Sequence, residues 1–280
     1  MEIIKFEQIE EIKQHALNMR KTALKMAYSC GKSAHIGGGL SEIDVLAVLY
    51  GKIMNCTEKN TDYYHKDKFI LSKGHGALGL YAALFEFGII PGKMLNTFME
   101  DGSDLIAHPV LKPEWGIEAS SGSLGQGISM AVGLALSSKI KGYPYSTYVL
   151  CGNGECNEGS VWEACMAAVS YKLDNFTLYI DNNNMQSDGC SSEVMNVSGK
   201  YSGMLDKLGF QVVEIDGNDV EQIIDAFSIP HTIDCPKAII GNTIKGKGIG
   251  FMEANNTWHH NRLTKEQFDV AMNELESSND

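Results

Sequence analysis

The order of apolar and polar residues predicts helices in both halves of the chain. Over residues 7–29, apolar side chains recur every three or four positions, which is typical of one helix face. A second helix is predicted to begin at Ser41, after a glycine-rich segment over residues 33–39 that we interpret as a loop presenting a histidine. Further helices are predicted directly after Gly76, over 160–171 and over 220–227.

Short, continuously apolar segments predict strands, and in the second half of the chain they alternate with the helices. Strands of this kind are buried on both faces, which indicates an α/β fold with a parallel sheet covered by helices on both sides. Residues 1–280 are predicted to form a single domain, because no repeat, low-complexity tract or long linker divides them. The predicted strands are 68–71, 147–150, 176–180, 210–215 and 238–244.

Three loops that combine glycines with polar residues follow predicted strands, at 152–154, 181–184 and 245–248. The carboxyl ends of parallel strands share one edge of a sheet, and ligands bind there. Glycines let backbone amides approach a diphosphate, and the following helix adds its positive end. Asn153 and Asn183 can each supply an amide oxygen to Mg²⁺, which favours oxygen ligands. The Gly-Asn-Gly sequence alone is weak evidence, because an ordinary loop pair would also carry it.

Charge and cysteine content narrow the classes of partner. The net charge of -12 argues against nucleic acid, whose phosphates favour a basic face, but not against a phosphorylated ligand held by local groups. Seven dispersed cysteines without a CxxC pair fit a reduced, cytoplasmic protein. The amino terminus does not resemble a signal peptide, and no apolar stretch is long enough to span a membrane. We therefore expect a cytoplasmic protein.

Five segments, in order along nearly the whole chain, resemble motifs of the transketolase family. They are Ser33-Ala-His-Ile-Gly-Gly, Leu71-Ser-Lys-Gly-His-Gly, Gly122-Ser-Leu-Gly-Gln-Gly, Cys151-Gly-Asn-Gly-Glu-Cys-Asn-Glu-Gly-Ser and Thr243-Ile-Lys-Gly-Lys-Gly with Trp258-His259 after it. The pattern looks most like the amino-terminal subunit of split transketolases. That resemblance implies a thiamine diphosphate-binding fold that holds the diphosphate and a metal ion.

The resemblance also implies a role for each residue that matches a family motif. Metal ligation is implied for Asn153, Asn183 and the carbonyl of Met185. Cofactor contacts are implied for His75, Gly122, Leu124, Gly154, Glu155, Asn183, Lys245 and His259. Catalytic roles are implied for His35, His75, His108 and His259, and for Glu158 as the acid that links two active sites. His260 is left out, because it neighbours His259 and two adjacent residues do not easily face one site.

Asn153 departs from the family pattern, which has aspartate at this position. An amide keeps an oxygen ligand but removes a negative charge from the metal site. We therefore expect weaker Mg²⁺ binding, with Ca²⁺ as a possible competitor because it tolerates more flexible oxygen shells.

The resemblance implies a partner as well as a reaction. The glutamate that activates the cofactor in the family lies in the next domain, as do the arginines that hold the sugar phosphate. We expect a carboxy-terminal transketolase-like subunit to supply them in an α2β2-type assembly, and this chain alone to have no turnover. The expected reaction transfers a two-carbon ketol unit from a ketose phosphate to an aldose acceptor. Two alternatives stay open: the same chemistry on a non-standard sugar or aldehyde in a specialised pathway, and a regulatory subunit that has lost catalysis.

Overall fold

The computed structural model describes residues 2–56 and 62–277, so residues 1, 57–61 and 278–280 of the predicted domain lie outside the described residues. Five strands are β1 (Lys68–Leu71), β2 (Thr147–Gly152), β3 (Phe176–Asn182), β6 (Gln211–Asp216) and β7 (Lys237–Asn242). They form one sheet in the order β1-β2-β3-β7-β6, and every pairing in it is parallel. A separate antiparallel hairpin consists of β4 (Met185–Gln186) and β5 (Gly189–Cys190).

The helices connect these strands. They are α1 (Glu2–Ser29), α2 (Ile36–Ser41), α3 (Ile43–Val48), α4 (Ala77–Glu86), α5 (Gly127–Lys141), α6 (Gly159–Ser170), α7 (Ser191–Val194), α8 (Tyr201–Leu208), α9 (Val220–Ser228) and α10 (Lys265–Ser277). A π-helical turn over Leu49–Ile53 extends α3, and short 3₁₀ turns include Gly74–Gly76, Glu155–Asn157 and Asn256–Trp258. Within the described ranges, no helix is long and apolar enough to cross a bilayer. All seven cysteines are free thiols.

The sheet separates two hydrophobic cores, because successive residues of a strand point to opposite faces. In β2, Val149 and Cys151 pack in the core formed with α5, α6 and α8, whereas Leu150 packs in the core formed with α1–α4, α9 and α10. All of β3 is buried, as expected for a central strand covered on both sides. The predicted α/β fold with helices on both faces of a parallel sheet is therefore confirmed.

The strands next to the predicted ligand loops end at the same level. Gly152 of β2 pairs with Asp181 of β3, which in turn pairs with Gly241 of β7. The chain therefore leaves the sheet at one edge in three neighbouring places, as the sequence predicts. The predicted boundaries differ slightly from the observed ones, because the hydrogen-bonded ladder continues through Gly152 and Asn182, which the sequence pattern places in loops.

Residues 36–39 were wrongly predicted as a loop, since α2 begins at Ile36 and includes all three glycines, whereas residues 33–35 lie outside any helix as predicted. A Cβ on Gly37 would lie 2.9 Å from the carbonyl oxygen of Trp258, and one on Gly39 would lie 3.1 Å from Cβ of Leu78. The glycines here permit a helix to pack closely against its neighbours. Ser41 ends α2 instead of starting the next helix, and its hydroxyl donates to the carbonyl of Gly38 at 3.0 Å.

Candidate active site

A cavity of about 190 Å³ lies at the edge of the sheet where β2, β3 and β7 end. It collects residues that are far apart in sequence, and it includes every residue predicted to contact the cofactor, the metal or the reacting carbon. These residues are His35, His75, His108, Gly122, Leu124, Asn153, Gly154, Glu155, Asn183, Met185, Lys245 and His259. A larger cavity of about 490 Å³ lies beside Lys68, at the amino end of β1, and its described lining residues include no histidine.

Glu158 is the predicted site residue that does not line this cavity. It is exposed at the start of α6, beside Gly125, where a Cβ on the glycine would lie 2.8 Å from that of Glu158. Its predicted role between two active sites needs a surface position, and it stays a prediction.

Four histidines converge on the cavity around His35. Its ring centroid lies 5.4 Å from that of His75, 5.6 Å from that of His108 and 5.4 Å from that of His259. They come from the residue before α2, the turn after β1, the segment between α4 and α5, and the segment after the Asn256–Trp258 turn. These segments are far apart in sequence, so only the folded chain brings the four histidines together.

Burial favours the neutral form of all four imidazoles. Burial, followed by the charges of neighbouring histidines and Lys245, lowers the pKa of His35 to about 4. Burial and then Lys245 lower the pKa of His259 to about 3. Burial also lowers the pKa of His75, with Lys73 as its next cause, and that of His108. A neutral imidazole offers one N–H donor and one acceptor nitrogen, so it can give or take a proton at a bound oxygen.

Lys245 sets the tautomer of His259. Its ammonium nitrogen Nζ lies 2.7 Å from Nδ1 of His259 and 2.9 Å from Oδ1 of Asn256. Because an ammonium can only donate, Nδ1 accepts and the His259 proton resides on Nε2. Burial, and then the charge of Lys73, lowers the pKa of Lys245 to about 8, so it remains largely charged at pH 7.

A buried ionic group formed by Lys73, Asp181 and Glu42 lies under the cavity. Nζ of Lys73 lies 2.5 Å from Oδ2 of Asp181 and 3.0 Å from Oε2 of Glu42, with all three side chains at most 1% exposed. Burial acts to lower the pKa of Lys73, but Asp181 and then Glu42 outweigh it and raise that pKa above its ordinary value. Burial is also the main reason that the pKa of Glu42 is raised to about 8.

The two candidate metal-binding amides both turn their nitrogens toward protein acceptors. Nδ2 of Asn153 donates to Oγ of Ser191 at 2.6 Å, and Nδ2 of Asn183 donates to Oδ2 of Asp181 at 3.2 Å. The described residues contain no cluster of three or more His, Cys, Asp or Glu side chains that could hold a metal. The donors at this place are therefore amide and carbonyl oxygens. Mg²⁺ accepts such ligands when phosphates complete its shell, so the residues fit a magnesium–diphosphate pair.

The glycines of the cavity allow a ligand to approach the backbone closely. Gly122 has a φ of +140°, which is open to glycine but rarely to other residues. Glu155 fastens the surrounding loops: Oε1 accepts from the Ser72 hydroxyl at 2.5 Å and from the Gly125 amide at 2.7 Å, and Oε2 accepts from the Gly152 amide at 3.2 Å. Both oxygens of Glu155 therefore already have protein donors, and its predicted cofactor contact stays a prediction.

Comparison with known proteins decides the family. The sequence profile of the transketolase thiamine diphosphate binding domain matches residues 12–277. The chain is 39% identical over 272 residues to an apulose-4-phosphate transketolase subunit of Phocaeicola vulgatus, covering 96% of this chain and 95% of that protein. This chain belongs to the transketolase family.

Other transketolases extend the comparison. The chain is 38% identical over 265 residues to the 6-deoxy-6-sulfo-D-fructose transketolase subunit SqwG of a Clostridium species, covering 94% of this chain and 96% of that subunit. Human transketolase is 33% identical over 273 residues, which are 97% of this chain but 43% of the human protein. The solved transketolase of Leishmania mexicana superposes with a TM-score of 0.86 at 28% identity, covering 95% of this chain and 41% of that one. The resemblance to the amino-terminal subunit of a split transketolase, a transferase, is thereby confirmed.

Several residues of this transketolase site had no role in the sequence prediction. Lys73 lies inside a recognised motif and Asp181 in a predicted ligand loop, but nothing in sequence reveals that they pair across 108 positions. Ser191 lies outside all the recognised motifs. The sequence argument excludes His260 from the site, yet its ring centroid lies 4.5 Å from that of His35. Because His260 is exposed and His259 is half-buried, adjacent residues reach the rim and the interior of the same site.

Proposed function

We propose that this transketolase chain works with a partner subunit to transfer a two-carbon ketol unit from an anionic, non-standard ketose to an aldose acceptor. The proposed donors are sugar phosphates or sulfonates. Two relatives that the chain covers almost end to end are named for apulose-4-phosphate and 6-deoxy-6-sulfo-D-fructose, which supports this class of substrate. The proposed location is the cytoplasm, in keeping with seven free thiols.

One observation carries the proposal: the cavity joins an oxygen-rich floor that contains the charged Lys245 to a group of neutral histidines. The floor contains the buried Lys73 and Lys245 together with the amides of Asn153 and Asn183. A diphosphate with its metal suits the floor, and the hydroxyl and carbonyl oxygens of a sugar suit the histidines. A catalytically degenerate subunit would have no need for the histidines.

The residues present would hold the cofactor as follows. Asn153, Asn183 and the Met185 carbonyl would bind Mg²⁺, and Gly154 and Lys245 would bind the diphosphate. Gly122 and Leu124 would line the thiamine. Thiamine diphosphate, when bound, supplies the chemistry that breaks and forms the carbon–carbon bond.

The histidines would handle protons at the sugar oxygens. His259 would present its Nε2 proton to the cavity, since Lys245 occupies Nδ1. His35, at the centre of the group, would pass protons to and from a sugar hydroxyl. Such hydrogen bonds are most effective where they meet the charge that develops on oxygen during the reaction.

We propose that the partner is a carboxy-terminal transketolase-like subunit, in an assembly of the α2β2 type. The cavity, at about 190 Å³, is smaller than the roughly 300–1,000 Å³ of ordinary ligand sites. It can accommodate part of a cofactor, and the partner would enclose the remainder and supply the activating glutamate. Exposed Glu158 would then face the second active site of the assembly.

The test is to assay the chain alone and in complex with its partner. Donors should include xylulose 5-phosphate, apulose 4-phosphate and 6-deoxy-6-sulfofructose, with ribose 5-phosphate or glyceraldehyde 3-phosphate as acceptor, and mass spectrometry should detect the two-carbon transfer. We expect product only from the complex, and only with thiamine diphosphate and Mg²⁺. Turnover by the chain alone, or a complex whose thermal stability thiamine diphosphate and Mg²⁺ do not raise, would contradict the proposal.

A further inference from the structure

The amide nitrogen of Asn153 is hydrogen-bonded within the protein. The residue is only 1% exposed, and its Nδ2 donates to Oγ of Ser191 at 2.6 Å. Its Oδ1 receives no hydrogen bond from any residue that the structure describes, although Asn153 lines the cavity. The amide oxygen is therefore left for a ligand in that cavity.

Orientation matters more for an asparagine than for a carboxylate. The two oxygens of a carboxylate are equivalent, so either can bind a cation. An amide has an oxygen at one end and two N–H donors at the other, and the donor end repels a cation. An asparagine at a metal site therefore needs a neighbour that fixes which end faces the metal.

Ser191 is suitably built for this task. It is 1% exposed at the first position of α7, and its backbone amide donates to the carbonyl of Asn184 at 2.9 Å, which fixes its place. Nε2 of Gln186 also lies 3.5 Å from its hydroxyl oxygen. The hydroxyl oxygen thus accepts from two amide nitrogens.

The second amide of the site has the same arrangement. Nδ2 of Asn183 donates to Oδ2 of Asp181 at 3.2 Å, while its Oδ1 accepts only from the backbone amide of Met185 at 3.1 Å among the described residues. Asp181 is itself held by Lys73 at 2.5 Å and by the hydroxyl of Ser41 at 2.6 Å. Both amides therefore have a buried acceptor behind the nitrogen and an oxygen available in front.

We propose that Ser191 is a positioning residue that turns the amide oxygen of Asn153 toward the metal of the cofactor. The inference rests on the proposed function, because it assumes that a divalent cation binds here with thiamine diphosphate. Groups that orient metal ligands typically contribute about 10–100-fold to metal affinity.

A double-mutant cycle tests the proposal in the complex of the chain with its partner. The proteins are the parent, Ser191→Ala, Asn153→Asp and the double variant, and the measurement is the Kd of Mn²⁺ by electron paramagnetic resonance in saturating thiamine diphosphate. In the parent background, we expect Ser191→Ala to weaken Mn²⁺ binding at least about tenfold. In the Asn153→Asp background, we expect the same substitution to weaken it less than about threefold. Ser192→Ala, at the exposed neighbouring position, is the control and should leave the Kd unchanged.

The outcomes separate this inference from the proposed function. If the parent complex binds no Mn²⁺ with thiamine diphosphate, the proposed function fails and the inference with it. If the parent binds Mn²⁺ but Ser191→Ala has the same effect in both backgrounds, or none beside Asn153, the positioning role is overturned. A general loss of structure would weaken binding equally in both backgrounds, so the cycle also distinguishes positioning from folding.

Discussion

Glu42 is a carboxyl group with its side chain fully buried in the ionic group with Lys73 and Asp181, and it should make the stability of the protein fall as pH rises. Replacing it by glutamine keeps its shape and removes its proton equilibrium. We therefore expect Glu42→Gln to gain stability relative to the parent with increasing pH.

The sign and size follow from the pKa of Glu42. Burial raises it from 4.5 to about 8, so the folded protein holds this proton more tightly than the unfolded chain. The stability that the proton contributes is complete below pH 4.5 and is lost as the pH rises toward 8. At about 1.4 kcal/mol per pH unit, the loss reaches up to about 5 kcal/mol at pH 8.

Urea unfolding followed by circular dichroism at pH 5, 6, 7 and 8 measures the effect. The free energy of unfolding of Glu42→Gln minus that of the parent should rise steadily across this range. Glu163→Gln, at an exposed position of α6, is the matched control and should track the parent. If Glu42→Gln and the parent change in parallel from pH 5 to 8, Glu42 is ionised in the folded protein and our reasoning is wrong.

Two further predictions concern packing and cofactor binding. Gly127→Ala would place its new Cβ 2.7 Å from Cα of Ser72 and should lower the free energy of unfolding by about 1–3 kcal/mol. Gly133→Ala in the same helix meets nothing within 4 Å and should raise that free energy by about 0.5–1 kcal/mol. If urea unfolding shows the same change in free energy for both variants, this reasoning is contradicted. Since the pKa of Lys245 is about 8 and its charged form would bind the diphosphate, the affinity of the complex for thiamine diphosphate should fall by up to about tenfold per pH unit above pH 8. Lys245→Arg stays charged and should show a flat profile by calorimetry, so parallel profiles would refute the role of Lys245.

The sheet could be predicted from sequence because its central strands are continuously apolar and their carboxyl ends must share an edge. That reasoning places Asn153 and Asn183 near each other from sequence alone, and the family motifs add the histidines. The glycine content of residues 37–39 predicts a loop wrongly, because glycines that allow close helix packing look like those of a flexible loop. The hairpin of β4 and β5 has two residues per strand, too few for any periodicity to register.

The buried ionic group could not be predicted because charged residues ordinarily mark the surface. Lys73 and Asp181 follow or end strands, where solvent exposure is the usual expectation, and only the folded chain reveals that each is buried by pairing with the other. Ser191 illustrates the same limit. The role proposed for Ser191 depends on its hydrogen bond with Nδ2 of Asn153, which sequence alone does not reveal.

The buried and the exposed ends of the cavity differ in charge. Lys245 and the Lys73–Asp181 ion pair are almost fully buried, the four histidines are half-buried, and His260 is exposed at the rim. A ligand with one anionic end and one hydroxyl-rich end can enter favourably only with the anion leading. Once the first ligand occupies the buried part of the cavity, a second ligand can contact only the residues at its opening. Loading should therefore be sequential, with the diphosphate first and the sugar after it.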